Sequence, residues 1–169
     1  MLASILSGGD SARLHHELVY RQRLAREAAA SYELTSLDPG LFTLYAQPLP
    51  GKSATQVEAA LEREIARAQK EPPTARELEK AKNGAESSFV FAQDSLFYQG
   101  MLLGSYEVAG DWRKIDEYLP AVRAVTAADV LRVARTYLRP ENRTTGVLVP
   151  DPPVAGPGGA DPLPQGAVN

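Results

Sequence analysis

Three times along this chain a hydroxyl residue is followed, three positions later, by a side chain able to reach back to it: Ser53-Ala-Thr-Gln56, Thr74-Ala-Arg-Glu77 and Thr126-Ala-Ala-Asp129. In this pattern the hydroxyl accepts from the third residue's N–H while that residue's side chain accepts from the N–H of the cap. Two orphan donors of a helix N-terminus are satisfied at once, so each pattern marks a helix start. The apolar spacing behind each start agrees. Val57, Leu61, Ile65 and Ala68 share one helical face, as do Leu78, Ala81, Ala85 and Phe89. Pro72-Pro73 separates these two helices. The third pattern leads into Val130, Val133, Ala134, Tyr137 and Leu138 and stops before Pro140, and Ile115, Tyr118, Leu119 and Val122 mark a shorter helix upstream.

Strands are expected in fewer places. Residues 31–35 and 41–47 flank Asp38-Pro39-Gly40, where proline presets φ and glycine tolerates positive φ, so they read as a hairpin. Residues 144–149 are a third candidate. A hairpin, then helices, then a return strand gives an α+β fold, an antiparallel sheet packed by helices on one face. A helix begins almost at residue 1, and three strands would leave the helices partly uncovered, so residues 1–150 read as an incomplete part of a larger α+β domain. Residues 151–169 are rich in proline and glycine and read as a disordered tail or linker, because they bury too little apolar surface to offset the entropy of ordering.

Composition narrows the function. No stretch approaches the ~20 apolar residues of a membrane-spanning helix. With 18 basic and 21 acidic side chains the net charge is −3, which offers no general attraction for nucleic acid. Cysteine is absent, which excludes thiol catalysis and disulfides and is compatible with a reducing or an oxidising compartment alike. The first residues lack the basic start and long apolar run of a secretory signal.

The chemistry-bearing residues crowd into SGGDSARLHHELVYRQRLAREAAASYE, residues 7–33. His15 and His16, with Glu17 beside them, suggest a metal. Adjacent histidines on a regular helix point about 100° apart, however, and zinc pairs are spaced three or four residues apart. No metal site is expected in this chain. Ser11 lacks the strained G-x-S-x-G elbow of a nucleophile and is expected to cap a helix, while Gly8-Gly9 lacks the features of a phosphate loop and reads as a helix break. Glu77, Glu79 and Glu86 lie among Arg76, Lys80 and Lys82 as on a solvated helix face, and no chemistry is assigned to them. Phe89, Phe91, Phe97, Tyr98 and Tyr106 are expected to pack into the core, with a peptide-contacting surface as the alternative.

Taken in order, a glycine-rich turn before a Ser-x-Arg-Leu helix, the DPGLF hairpin, the TARELEKAK helix, and VTAADV followed by ARTYL with a closing segment ending in proline resemble the pitrilysin/insulinase-like (M16) zinc peptidases. The similarity covers most of residues 2–150 and is to the half-unit that lacks the H-x-x-E-H zinc motif. The resemblance implies a zinc-free, non-catalytic portion that encloses and binds unfolded peptide opposite a zinc-bearing half, on the same polypeptide or a separate subunit. No cofactor is then expected in this chain, and zinc is expected in the partner half. It also implies an arginine and, seven residues later, a tyrosine that contact substrate. Val19 and Arg26 occupy those two positions, which leaves Tyr20, Arg21 and Arg26 as the substrate-binding candidates. The departure at Val19 also suits an inactive scaffold subunit. An incomplete sheet with a free edge makes self-association possible.

Overall fold

The computed structural model describes residues 1–149. All three capping boxes form, with both reciprocal hydrogen bonds, at the starts of α2 (Ala54–Lys70), α3 (Ala75–Ala92) and α6 (Ala127–Tyr137). The chain opens with the short α1 (Leu2–Ser7), passes through a π-helical turn at His15–Arg21, and enters the hairpin of β1 (Ala25–Tyr32) and β2 (Phe42–Pro48). Between α3 and α6 lie α4 (Leu96–Ala109) and α5 (Ile115–Ala124).

The hairpin is antiparallel, with Ala30 opposite Leu44 and Tyr32 opposite Phe42. The first strand begins at Ala25, well before the expected residue 31, because its sequence AREAAASY is alanine-rich and carries no strand signature of its own. Those alanines have a packing role: α1 lies directly on β1, and Ala25 and Ala28 are buried at the contact. Ser7, at the end of α1, clasps the outer edge of β1. Its hydroxyl accepts from the Ala30 N–H at 2.8 Å and donates to the Ala30 carbonyl at 2.9 Å, satisfying two groups that face away from β2.

Residues 144–149 form no strand, which corrects the expected three-stranded sheet; the sheet has two strands among the described residues. Arg143 is instead tied to Glu62 of α2 at 2.5 Å, and Leu148 projects into solvent. The tail at 151–169 lies outside the described residues.

The core joins α1, the π-helical turn, β1, α2, α3 and α6. Leu6, Leu14 and Leu18 are its largest fully buried side chains. Val57, Ala60 and Ala68 of α2 belong to the same cluster as Val130 and Ala134 of α6. The Gln69 side chain donates to the Leu138 carbonyl at 2.7 Å and Arg135 donates to the Gln69 carbonyl at 2.7 Å, fastening the far ends of α2 and α6. The apolar α4 is different, for none of its residues is buried. Phe91, Phe97 and Tyr98 are exposed, contrary to the core role expected for them, and only Phe89 and Tyr106 are partly covered. Phe89 meets Tyr118 of α5 with ring centroids 5.1 Å apart.

Candidate functional site

The segment from Arg13 to Arg26 links α1 to the hairpin through an unusual backbone. The Gln22 N–H donates to the Glu17 carbonyl and the Leu24 N–H to the Leu18 carbonyl, both at 2.9 Å, widening the helix into a π turn before the strand. Arg23 follows with φ at 49°, in the left-handed region where a side chain is strained. The strand then begins with a β-bulge. Ala25 pairs with Pro48 and Glu27 with Gln47, so Arg26 is the extra, unpaired residue between them. Wide turn and bulge together re-aim the side chains that a regular helix and strand would direct elsewhere.

What holds this irregular backbone is buried underneath it. Leu14 and Leu18 are fully buried, and Arg13 is a buried cation whose guanidinium donates to both carboxylate oxygens of Glu77, at 2.7 and 3.0 Å, and to the Pro72 carbonyl at 3.4 Å. The same Glu77 closes the capping box of α3 by accepting from the Thr74 N–H at 2.7 Å. The Arg13 bond above all holds the Glu77 carboxyl down at about 2. Buried Glu17 is paired with Arg21 on the surface above it. Glu64, on α2, is only 5% exposed. Its Oε2 has no hydrogen-bond partner, and the Arg67 guanidinium comes no nearer than 3.7 Å. Burial pushes the Glu64 carboxyl up and the nearby Glu17 charge acts in the same direction, against Arg67, Arg13 and Arg21.

Tyr20 is 73% exposed, with its ring 6.0 Å from that of His16. Arg21 is exposed and engaged with Glu17. Arg26 is exposed at the bulge. Val19 is half-buried against the core cluster. Two surface clefts are lined by none of these residues. One, of about 460 Å³, runs between α1 and α3 past Gly8, Lys80 and Tyr118; the other, of about 340 Å³, is bounded by Leu34, Phe89, Met101 and Tyr106.

Metal chemistry finds no shell among these side chains. The His15 Nδ1 bonds the Asp10 carbonyl at 2.9 Å, His16 lies against Tyr20, and among the described residues no group of three or more histidines and carboxylates is arranged to hold an ion. Ser11 does not cap the helix as expected, because the π turn has no side-chain cap; its hydroxyl accepts from the Lys80 ammonium at 2.5 Å. Nor is Glu77 a solvated face residue, since Arg13 engages it. Sequence reasoning passed over Arg13 and Glu64, and weighed Glu17 only as a neighbour of the two histidines. Glu64 left a trace, for it lies in the apolar stripe of α2 between Ala60 and Ala68, where a charge is out of place.

The described residues thus present a helix-backed hairpin with exposed polar groups on a connection fixed from below. The family described as the peptidase M16 inactive domain matches residues 1–85, and the chain belongs to it. The chain is 30% identical over 152 residues to an uncharacterized zinc protease of Rickettsia bellii, covering 89% of this chain and 36% of that protein. It is 27% identical over 149 residues to the zinc protease PqqE of Helicobacter pylori, covering 88% and 33%. The chain thus spans about a third of the length of these relatives. Among solved structures, an inactive peptidase domain from Bordetella parapertussis superposes with a TM-score of 0.79 at 29% identity, over 90% of this chain and 82% of that one. A protease from Helicobacter pylori gives 0.76 at 25% identity, over 82% and 33%. No helix among the described residues is long and apolar enough to cross a membrane.

Proposed function

We propose that this chain is the zinc-free portion of an M16-type metallopeptidase-like protein and helps enclose and bind unfolded peptide opposite a zinc-bearing half. The observation that carries the reading is the pair of exposed side chains, Tyr20 and Arg26, held at either end of a connection whose backbone is fixed from below by Leu14, Leu18 and the Arg13–Glu77 pair. A guanidinium at a bulge donates readily to peptide carbonyls, and a tyrosine offers a flat apolar ring with a polar end. Arg21 chiefly neutralises Glu17 and contributes less to peptide. Zinc and the attacking water belong to the other half.

The test is steady-state cleavage of an unfolded peptide by the zinc-bearing half in the presence of this chain. Tyr20→Ala and Arg26→Ala should each raise KM about three- to tenfold, the loss of one or two exposed contacts, with kcat little changed. Unchanged KM in both variants overturns the peptide-binding role.

Val19 supports a second reading, an inactive scaffold. At the position where the resemblance places an arginine, it packs against the core and offers no donor. A zinc-bearing half that associates with this chain, yet cleaves equally well without it, would select the scaffold.

A further inference from the structure

The α4 helix is the least explained element of the fold. Its sequence, LFYQGMLLGSYEVA, carries one charged residue, Glu107, and no side chain on it is buried. Leu102, Ser105, Tyr106 and Ala109 lie toward the rest of the molecule and are partly covered. On the opposite side, Leu96, Gly100, Leu103 and Glu107 fall in one row, and Phe97, Met101, Gly104 and Val108 fall in the next, at the three- and four-residue steps that place side chains on one helix face. Leu96, Phe97 and Val108 are 84%, 73% and 76% exposed, and Met101 and Leu103 about half. A β-carbon built on Gly100 or Gly104 would meet no neighbouring atom within 4 Å. The face is therefore apolar, nearly uncharged, and shallow at its middle.

We propose that this face docks on the same face of a second copy of the chain, with the two α4 helices crossing antiparallel between Gly100 and Gly104. Two properties select this occupant. The first is area. At the exposures given, the five apolar side chains present on the order of 500–600 Å² per copy, taking about 150–250 Å² for a large side chain as the scale. The pair then buries about 1,000–1,200 Å², which reaches the lower bound of a specific interface of about 1,000 Å². The second is charge. Parallel pairing would set Glu107 against Glu107, whereas antiparallel pairing about position 102 sets Glu107 against the partner's Phe97 and Leu96 against the partner's Val108. The Glu107 carboxylate also stays engaged by accepting from the Trp112 N–H at 3.3 Å. An isologous contact of this kind closes as a dimer. The glycines set how closely the backbones approach, and the exposed apolar side chains supply the drive. The inference goes beyond the peptide-binding reading and is independent of it.

Sedimentation velocity across micromolar to hundred-micromolar concentration should show a reversible monomer–dimer equilibrium. Gly100→Leu with Gly104→Leu should shift it at least tenfold toward monomer. Both sites are open in the monomer and glycine is a poor helix former, so this variant should melt no lower than the parent. Phe97→Glu should weaken the dimer likewise. Because the chain has no cysteine, Leu96→Cys and Val108→Cys can be mixed with a short bis-maleimide. The expected product is the mixed cross-link, in excess over either self-cross-link. Three results overturn the proposal: a chain monomeric at all concentrations, with the face bare or reserved for another partner; a dimer unmoved by these variants, which places the contact on another surface such as the sheet edge; or preferential self-cross-linking, which indicates parallel helices.

Discussion

Glu64 is a carboxylate placed where a leucine would pack. It lies among the buried residues of α2, its Oε2 lacks a hydrogen bond, and its nearest cation is held at 2.9 Å by Glu71 instead. Its raised folded-state affinity for a proton fixes the sign of its effect. Below the ordinary carboxylate value of 4.5 it is neutral in folded and unfolded chains alike and costs nothing. As pH rises through that value, the unfolded chain ionises first and the fold loses stability. Glu64→Gln should therefore stabilise the chain at pH 7–8, by about 1 kcal/mol, since an unsatisfied buried group costs more when charged than when neutral. The gain should vanish near pH 4 in thermal melts. An equal gain at both pH values would show that charge is not the cause.

Element by element, α3 is joined to the start of the chain by one residue in two roles. Glu77 caps its own helix and receives Arg13, so the bond that orders the helix start also docks it. Depressed to about 2 from an ordinary 4.5, its carboxyl contributes stability that is complete above about pH 4.5 and drains away as pH falls toward 2. Glu77→Gln should cost about 2 kcal/mol at neutral pH, below the 3–5 kcal/mol of a fully buried pair because Glu77 is partly exposed. The difference from the parent should close by about pH 2 in urea titrations; a constant gap across that range would assign the loss to packing. The helix starts were legible in the sequence because a capping box is local: cap and third residue specify each other. The second strand was legible from its place behind the proline–glycine turn at Asp38-Pro39-Gly40. The first strand was not, because AREAAASY forms a strand through its contact with α1, a tertiary cause. At the candidate site the residues Tyr20, Arg21 and Arg26 could be named from resemblance. The bulge and the Arg13–Glu77 pair could not, since their partners lie tens of residues away, and the π turn, though local, carries no pattern of its own in the sequence.

At the scale of the molecule, the apolar surface is unevenly spent. α1, the hairpin, α2 and α6 share a closed core, while α4 and its neighbouring aromatics are held at the surface. This explains why the aromatic cluster misled a reading that sends aromatics inward. The average preference holds for the chain, but α4 has no layer above it among the described residues. The same asymmetry bears on the time course of assembly. Arg13 and Glu77 stand 64 positions apart, whereas each capping box closes over three positions and the hairpin over the loop at 33–41. Loop-closure entropy makes distant contacts form late, so the clamp is absent from most of the transition state. Arg13→Met should consequently speed unfolding by about tenfold while leaving the refolding rate within about twofold, as read from the two limbs of a stopped-flow chevron. A slowed refolding limb would place the clamp in the nucleus instead. On this account the bond that supports the Tyr20–Arg26 connection acts as a latch: it closes after the elements have formed and sets how long they stay together.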